Sequence, residues 1–228
     1  MVQTRGESPG LGTGVVSNAC RIPGRCPIAY PAGVMTPLDL SHPVWEQVYM
    51  VAPLIIVGTR EPDGNYDLAP KHMAMPVSWQ DHYGFVCTPS HATYANAQRE
   101  GCFTVSFPRP DQILMTSLAA APRCDDDQKH ALAAVPTVPA RKIDGVLLER
   151  AYLHFECELE RIIDGFDVNS LIIGRVVAAA VAEDSAPDVD IDAQDMIAHS
   201  PMLAYIHPGR FARVVQTQAF PYHVGFKR

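Results

Sequence analysis

The chain has 228 residues, 47% of them hydrophobic, which suits one domain with a core of ordinary size better than two small ones. Its net charge of -7 offers no basic surplus to neutralise a phosphate backbone, so nucleic acid is not expected as a partner. No apolar run reaches the roughly 18 residues of a membrane helix, and the longest candidate, 171–182, is interrupted by Gly174 and Arg175 and reads as a buried strand.

Residues 1–14 are polar and contain no apolar h-region, so no secretory signal is expected and the cytoplasm is the expected location. The six cysteines, Cys20, Cys26, Cys87, Cys102, Cys124 and Cys157, form no C-x-x-C pair and no regular spacing with histidine. They are expected to be reduced and mostly buried thiols, with no metal site.

Residues 1–40 carry glycine and proline at many positions without periodicity, which predicts a flexible extension ahead of a single domain over 41–228. Within it, Gly10-Leu11-Gly12-Thr13-Gly14 has the spacing of a dinucleotide loop, yet no strand precedes it and no amphipathic helix follows. Ser41-His42-Pro43 resembles a helix start, with Val44, Val48 and Val51 on one face. The apolar stretch 54–59, the turn signal Glu61-Pro62-Asp63-Gly64-Asn65 and the segment 66–68 predict a hairpin.

Residues 70–80 are expected to be irregular, because prolines punctuate them. A strand over 83–88, a short helix over 89–100 ended by Gly101, and a strand over 102–107 stopped by Pro108 and Pro110 follow. Segments 111–121 and 126–135 have helical composition, and Asp125-Asp126-Asp127 reads as an acidic first turn rather than a metal cluster. These helices are longer than a plain barrel connection needs, as a lid over a small organic substrate would be.

Ala151, Leu153, Phe155, Cys157 and Leu159 alternate with Tyr152, His154, Glu156, Glu158 and Glu160, the period-two pattern of a half-exposed antiparallel strand. An Asp164-Gly165 turn leads into 171–181, apolar on both faces, which predicts that a second subunit covers its far side. Segment 186–195 reads as a loop entering a short helix, and 201–215 as a final turn and strand. Strands and hairpins dominate, so a small barrel is expected rather than a doubly wound sheet.

Two segments stand out chemically. Residues 88–96 lead from a strand into a helix, so free N–H groups and the positive end of the helix dipole favour an anion there. Thr88 and Ser90 lie at the entrance while Thr93 and Asn96 share a helix face; a plain N-cap role for Thr88 or Ser90 is the simpler alternative. In 67–78 two prolines interrupt regular pairing and leave main-chain groups for water or a ligand. Lys71 and His72 form a close pair of cations beside it, set against a solvated lysine and a histidine bonded to a carbonyl. Ser78, Ser90, Ser106 and Ser117 lie in no G-x-S-x-G context, which leaves a serine hydrolase without a nucleophile elbow.

Five pieces in order resemble the flavin-reductase-like, FMN-binding split-barrel family, which includes flavoredoxins and reductase components of two-component monooxygenases. They are 53–59 with the Asp63-Gly64 turn; Asp67-Leu68-Ala69-Pro70; Thr93-Tyr94-Ala95-Asn96 before 101–106; Glu156-Cys157-Glu158-Leu159 followed by 171–177; and 201–205 running to Gly209-Arg210-Phe211.

The resemblance implies a mostly β fold with short helices, a six-stranded antiparallel split β-barrel of Greek-key type, and a homodimer with flavin near the subunit boundary. It further implies FMN rather than FAD as cofactor, held by Ala69, Pro70, Lys71, His72, Met73 and Ala74 along the ring and by Thr88, Ser90, Thr93 and Asn96 at the ribityl phosphate. NAD(P)H would be the transient hydride donor, and a monooxygenase component a partner that receives reduced flavin. The chain departs from the family pattern at Asp67, where asparagine is common, at Lys71-His72, and at Asn169-Ser170. An NAD(P)H-dependent flavin reductase is therefore the expected function, with a flavin-binding electron carrier or a flavoenzyme acting on a small organic substrate as alternatives.

Overall fold

The computed structural model describes residues 35–225. After a four-residue helix α1 (Val44–Gln47) come β1 (Val51–Pro53), β2 (Ile55–Arg60), β3 (Tyr66–Lys71), β4 (Ala74–Pro76) and β5 (His82–Cys87). Helix α2 (Ala92–Glu100) leads to β6 (Cys102–Phe107), and α3 (Ile113–Leu118) begins a long excursion that ends in β7 (Thr137–Pro139) and β8 (Val146–Leu148). The hairpin of β9 (Leu153–Phe166) and β10 (Asn169–Val181) follows, then α4 (Ala193–His199), β11 (Met202–Ile206) and β12 (Arg210–Val214). No helix of the described residues is long and apolar enough to cross a membrane.

The main sheet is antiparallel and has seven strands, in the order β3-β2-β6-β9-β10-β5-β4, one more than expected. Its two edge strands, β3 and β4, are consecutive in the chain and separated only by His72 and Met73. In a flat sheet six spacings would hold those edges about 29 Å apart. Three residue steps reach at most about 11 Å. The sheet must therefore curl until its edges nearly meet at Lys71 and Ala74, which makes a barrel with one unzipped seam.

That seam corrects the reading of 70–80 as irregular. Pro70 pairs with Ile56 and Pro76 with Tyr83, so both prolines sit inside strands. Proline lacks only the N–H, and an edge strand has positions where none is needed. A second, three-stranded sheet, β1-β11-β12, begins where Leu54 separates β1 from β2, and a further pair joins β7 and β8.

Strand β2 is buried on both faces, and period two sorts its side chains. Ile55 and Val57 point into the curl, where they join Phe85, Phe103, Val105, Cys157 and Ile172. Ile56 points outward into a separate cluster with Leu68, Ala119, Val135 and Leu148, against which Met115, Leu118 and Leu132 pack. This outer cluster fastens the 111–135 excursion to the barrel wall. The excursion is less helical than its composition suggests: a 3-10 turn at Pro110–Gln112 precedes α3, another spans His130–Ala134, and 125–127 is a turn. Helix α1 likewise stops at Gln47, and Val51 belongs to β1.

Two further expectations change in β9 and β10. The hairpin turns at Asp167-Val168 rather than at Asp164-Gly165, although Gly165 does take a left-handed φ of 97° inside β9. Glu156, placed among outward residues by alternation, is buried, and its carboxylate accepts the N–H groups of Arg141 (2.9 Å), Lys142 (2.6 Å) and Ile143 (3.3 Å). Three backbone donors replace the water that a buried carboxylate loses. His154 is half-buried, its Nε2 sharing a hydrogen bond with Leu148 O at 2.8 Å.

Phe103 lies over Gly174 so closely that a Cβ there would stand 2.5 Å from its Cζ and 2.9 Å from Cys157 Cβ. Gly174→Ala is accordingly expected to lower the unfolding free energy by about 1–3 kcal/mol, the usual cost of overpacking, which urea denaturation will measure.

Candidate functional site

A cleft of about 500 Å³ opens where β3, the start of α2 and the 119–129 segment converge. Ala69, Pro70 and Lys71 form one wall, Ser90, His91 and Thr93 the second, and the run 119–123 with Lys129 the third. The two segments singled out in the sequence thus face each other across one space, although 19 positions separate Lys71 from Ser90 in the chain.

The α2 wall has the chemistry of an anion site. His91 is the N-cap of this nine-residue helix, yet its side chain makes no capping bond, so the first-turn N–H groups have no side-chain acceptor. At the other end Gly101 closes the helix in the left-handed conformation, its N–H bonded to Ala97 O. Burial, then Lys71 and Lys129, holds the His91 imidazole below its ordinary range, so it is largely uncharged at neutral pH. Positive charge in the cleft therefore comes from Lys71, Lys129 and Arg123.

Of these only Lys71, whose side chain hydrogen-bonds with the Cys87 thiol, lacks a carboxylate partner among the described residues. Lys129 Nζ lies 2.7 Å from Oδ1 of Asp67, a carboxylate only 3% exposed, and donates to Leu68 O at 3.1 Å and Ala119 O at 3.3 Å. Arg123 is paired with Glu61 and stands 3.8 Å from Asp67. Among the described residues no carboxylate pairs with Lys71. The small apolar residues Ala69, Pro70, Ala119, Ala120, Ala121 and Pro122 supply flat wall between these charges.

The remaining predicted residues are placed elsewhere. His72 turns away from Lys71 and stacks on Tyr205 of β11, ring centroids 4.3 Å apart, with the edge of His207 at 4.6 Å. Lys71 ends β3 whereas His72 lies in the bend that leads to β4, so neighbours in sequence part company here. Met73 is exposed, and its carbonyl accepts the Val86 N–H at 2.8 Å; Ala74 is buried in the core.

Thr88 Oγ1 donates to Asn169 Oδ1 at 3.2 Å. Thr93 lines the cleft but is only 2% exposed. Asn96, 1% exposed, spends its amide on the scaffold: Nδ2 donates to Thr59 Oγ1 at 3.2 Å, and Oδ1 accepts from Arg99 Nη1 at 3.0 Å. It docks α2 on β2. The sequence reading missed Arg123 and Lys129, whose only signal is that they are cations on the predicted lid; their partners Glu61 and Asp67 lie some 60 positions earlier.

The residues present are compatible with a flavin, since a helix start without a side-chain cap and a lysine that no carboxylate neutralises suit a phosphate and small apolar residues suit a flat ring. Gly10–Gly14 and Cys20 and Cys26 lie outside the described residues; Cys87, Cys102, Cys124 and Cys157 are free thiols, of which Cys124 is exposed.

Comparison with solved structures places this architecture among split barrels. The flavoredoxin of Desulfovibrio vulgaris (Miyazaki F) superposes with a TM-score of 0.67 at 18% identity, covering 84% of this chain and 100% of that one. Nitrilotriacetate monooxygenase component B from Mycobacterium thermoresistibile gives 0.63 at 13% identity over 78% and 89%. The NADH:FAD oxidoreductase of Streptomyces globisporus C-1027 gives 0.58 at 15% identity over 72% and 86%. Residues 48–211 match the family described as flavin reductase like domain, and the chain belongs to that family.

Proposed function

We propose that this protein is an FMN-binding oxidoreductase that uses NADH or NADPH to reduce its flavin, with 41–228 as the flavin-binding domain behind an N-terminal extension. The observation that carries the reading is the convergence of Ala69–Lys71 and Ser90–Thr93 on one cleft, with a lysine that no carboxylate neutralises and a helix start without a side-chain cap. Bound flavin would supply the redox chemistry, accepting hydride from the nicotinamide and releasing electrons to an acceptor.

The protein's part is binding, orientation and exclusion of water. The first-turn N–H groups of α2 and the Ser90 hydroxyl are suited to the phosphate, and the Lys71 ammonium to the phosphate or to negative charge on the reduced ring. The seam edge of β3 offers backbone groups that no neighbouring strand uses, which suits the hydrogen-bonding edge of the ring. Lys129, bridging Asp67 to the carbonyls of Leu68 and Ala119, keeps the third wall against β3.

The similarity to a monooxygenase component B favours a partner enzyme that takes reduced flavin from this protein. A homodimer accords with the exposed apolar tip of the long hairpin, where Phe166 is 54% and Val168 62% exposed. An electron carrier without nicotinamide turnover is the second reading, favoured by the placement of His72 against Tyr205 instead of in the cleft.

Four outcomes are expected. Purified protein mixed with FMN should oxidise NADH or NADPH; tightly held flavin with no oxidation of either would select the carrier. Lys71→Ala should weaken FMN binding about tenfold, the worth of one charge-assisted hydrogen bond, while Asn96→Ala should cost about 1–3 kcal/mol of stability through its stranded partners. Unchanged FMN affinity in the lysine variant removes the cleft assignment. Light scattering should return twice the chain mass.

A further inference from the structure

Beside the cleft, the segment 124–130, a turn followed by the start of a 3-10 helix, holds three side chains of different ligand type. The Cys124 sulfur, a carboxylate oxygen of Asp126 and a ring nitrogen of His130 all lie within 4.8 Å of one another. We propose that Cys124, Asp126 and His130 form a binding site for a divalent transition metal, with Zn²⁺ as the best chemical match and a fourth position open to water.

The ligand set is the first argument. Thiolate and imidazole are borderline-soft donors that select zinc-like ions over Mg²⁺ or Ca²⁺, which want oxygen alone. The C-x-D-x-x-x-H spacing brings all three from seven consecutive residues, so no distant element has to move to complete the set. Three protein ligands plus a water is the coordination that open zinc sites use.

Geometry is the second argument. Zinc bonds of about 2.0–2.3 Å arranged tetrahedrally put donor atoms roughly 3.3–3.8 Å apart. Asp126 Oδ2 and His130 Nε2 are at 2.8 Å, sharing a hydrogen bond that an ion would replace by opening the pair by less than about 1 Å. The turn that carries them is pinned: Cys124 N–H donates to Gln128 O, and Asp127 N–H to Cys124 O, both at 2.9 Å. The Gln128 N–H holds Asp126 Oδ1 at 3.1 Å and leaves Oδ2 as the donor, the kind of outer contact that orients a ligating carboxylate.

Competing charge is the third. Lys129, on the same segment, is committed to Asp67 at 2.7 Å rather than to this turn. Arg123 reaches Asp127 at 3.7 Å, not Asp126. Two anionic ligands with Asp125 and Asp127 beside them leave a negative site that a dication balances. The acidic first helical turn expected from composition is not formed, because the chain makes a tight turn at 125–127 and the next helical turn begins only at His130.

The test is a titration of the full-length protein with Co²⁺, whose thiolate-bound tetrahedral form has intense visible bands at wavelengths beyond flavin absorption. Bands that develop to one equivalent, are bleached by Zn²⁺, and require Cys124 and His130 support the site. Cys124→Ser and His130→Ala should each lose at least about tenfold in Co²⁺ affinity, since even outer partners of a metal ligand are worth about 10–100-fold. All three side chains are exposed, so these substitutions leave the core untouched. Absence of the bands in the native protein, or their persistence in Cys124→Ser, overturns the proposal.

Discussion

Two residues, His72 and Met73, tie together strands that hydrogen bonding places at opposite ends of a seven-stranded ladder. No flat arrangement satisfies that connection, and the curvature it imposes decides almost everything else. Curling creates an inside, which Phe85, Phe103 and Ile172 fill, and an outside on which the 111–135 excursion finds a second apolar surface. It also leaves β3 with a free edge directly opposite the start of α2, and the cleft is the space between them.

Charge within that space is organised by what it has already been used for. Asp67 and Glu61 absorb Lys129 and Arg123, so those cations fasten a wall, whereas Lys71 remains available to a ligand. Buried pairs of this kind are costly to break from one side, because the survivor is left without solvent or counter-ion. The division of labour leaves one cation without a carboxylate partner in the cleft of a chain whose net charge is -7.

How much of this could be read in advance depended on the range of the interaction. The hairpin at Asp63-Gly64 and the helix ended by Gly101 are local: one glycine at positive φ specifies each reversal. The β9 alternation located the strand but not the fate of Glu156, because its partners are backbone N–H groups 13 to 15 positions earlier that no periodicity encodes. Prolines at 70 and 76 suggested disorder of pairing, since a sequence does not reveal that a strand will lie at an edge. In the candidate cleft, Ser90 and Thr93 could be picked out from the strand-to-helix transition and Lys71 as a cation beside the proline-interrupted loop, while Arg123 and Lys129 could not, their placement being set by ion pairs across some 60 residues.

Those prolines have a second effect. A barrel left unzipped exposes two strand edges, and exposed edges invite other chains to add on and polymerise. Pro70 on one lip and Pro76 on the other withhold the N–H that an incoming strand needs, and Lys71 places a charge beside them. Each lip of the seam thus carries a residue that cannot donate to an added strand, a feature that works against edge-to-edge association along the gap.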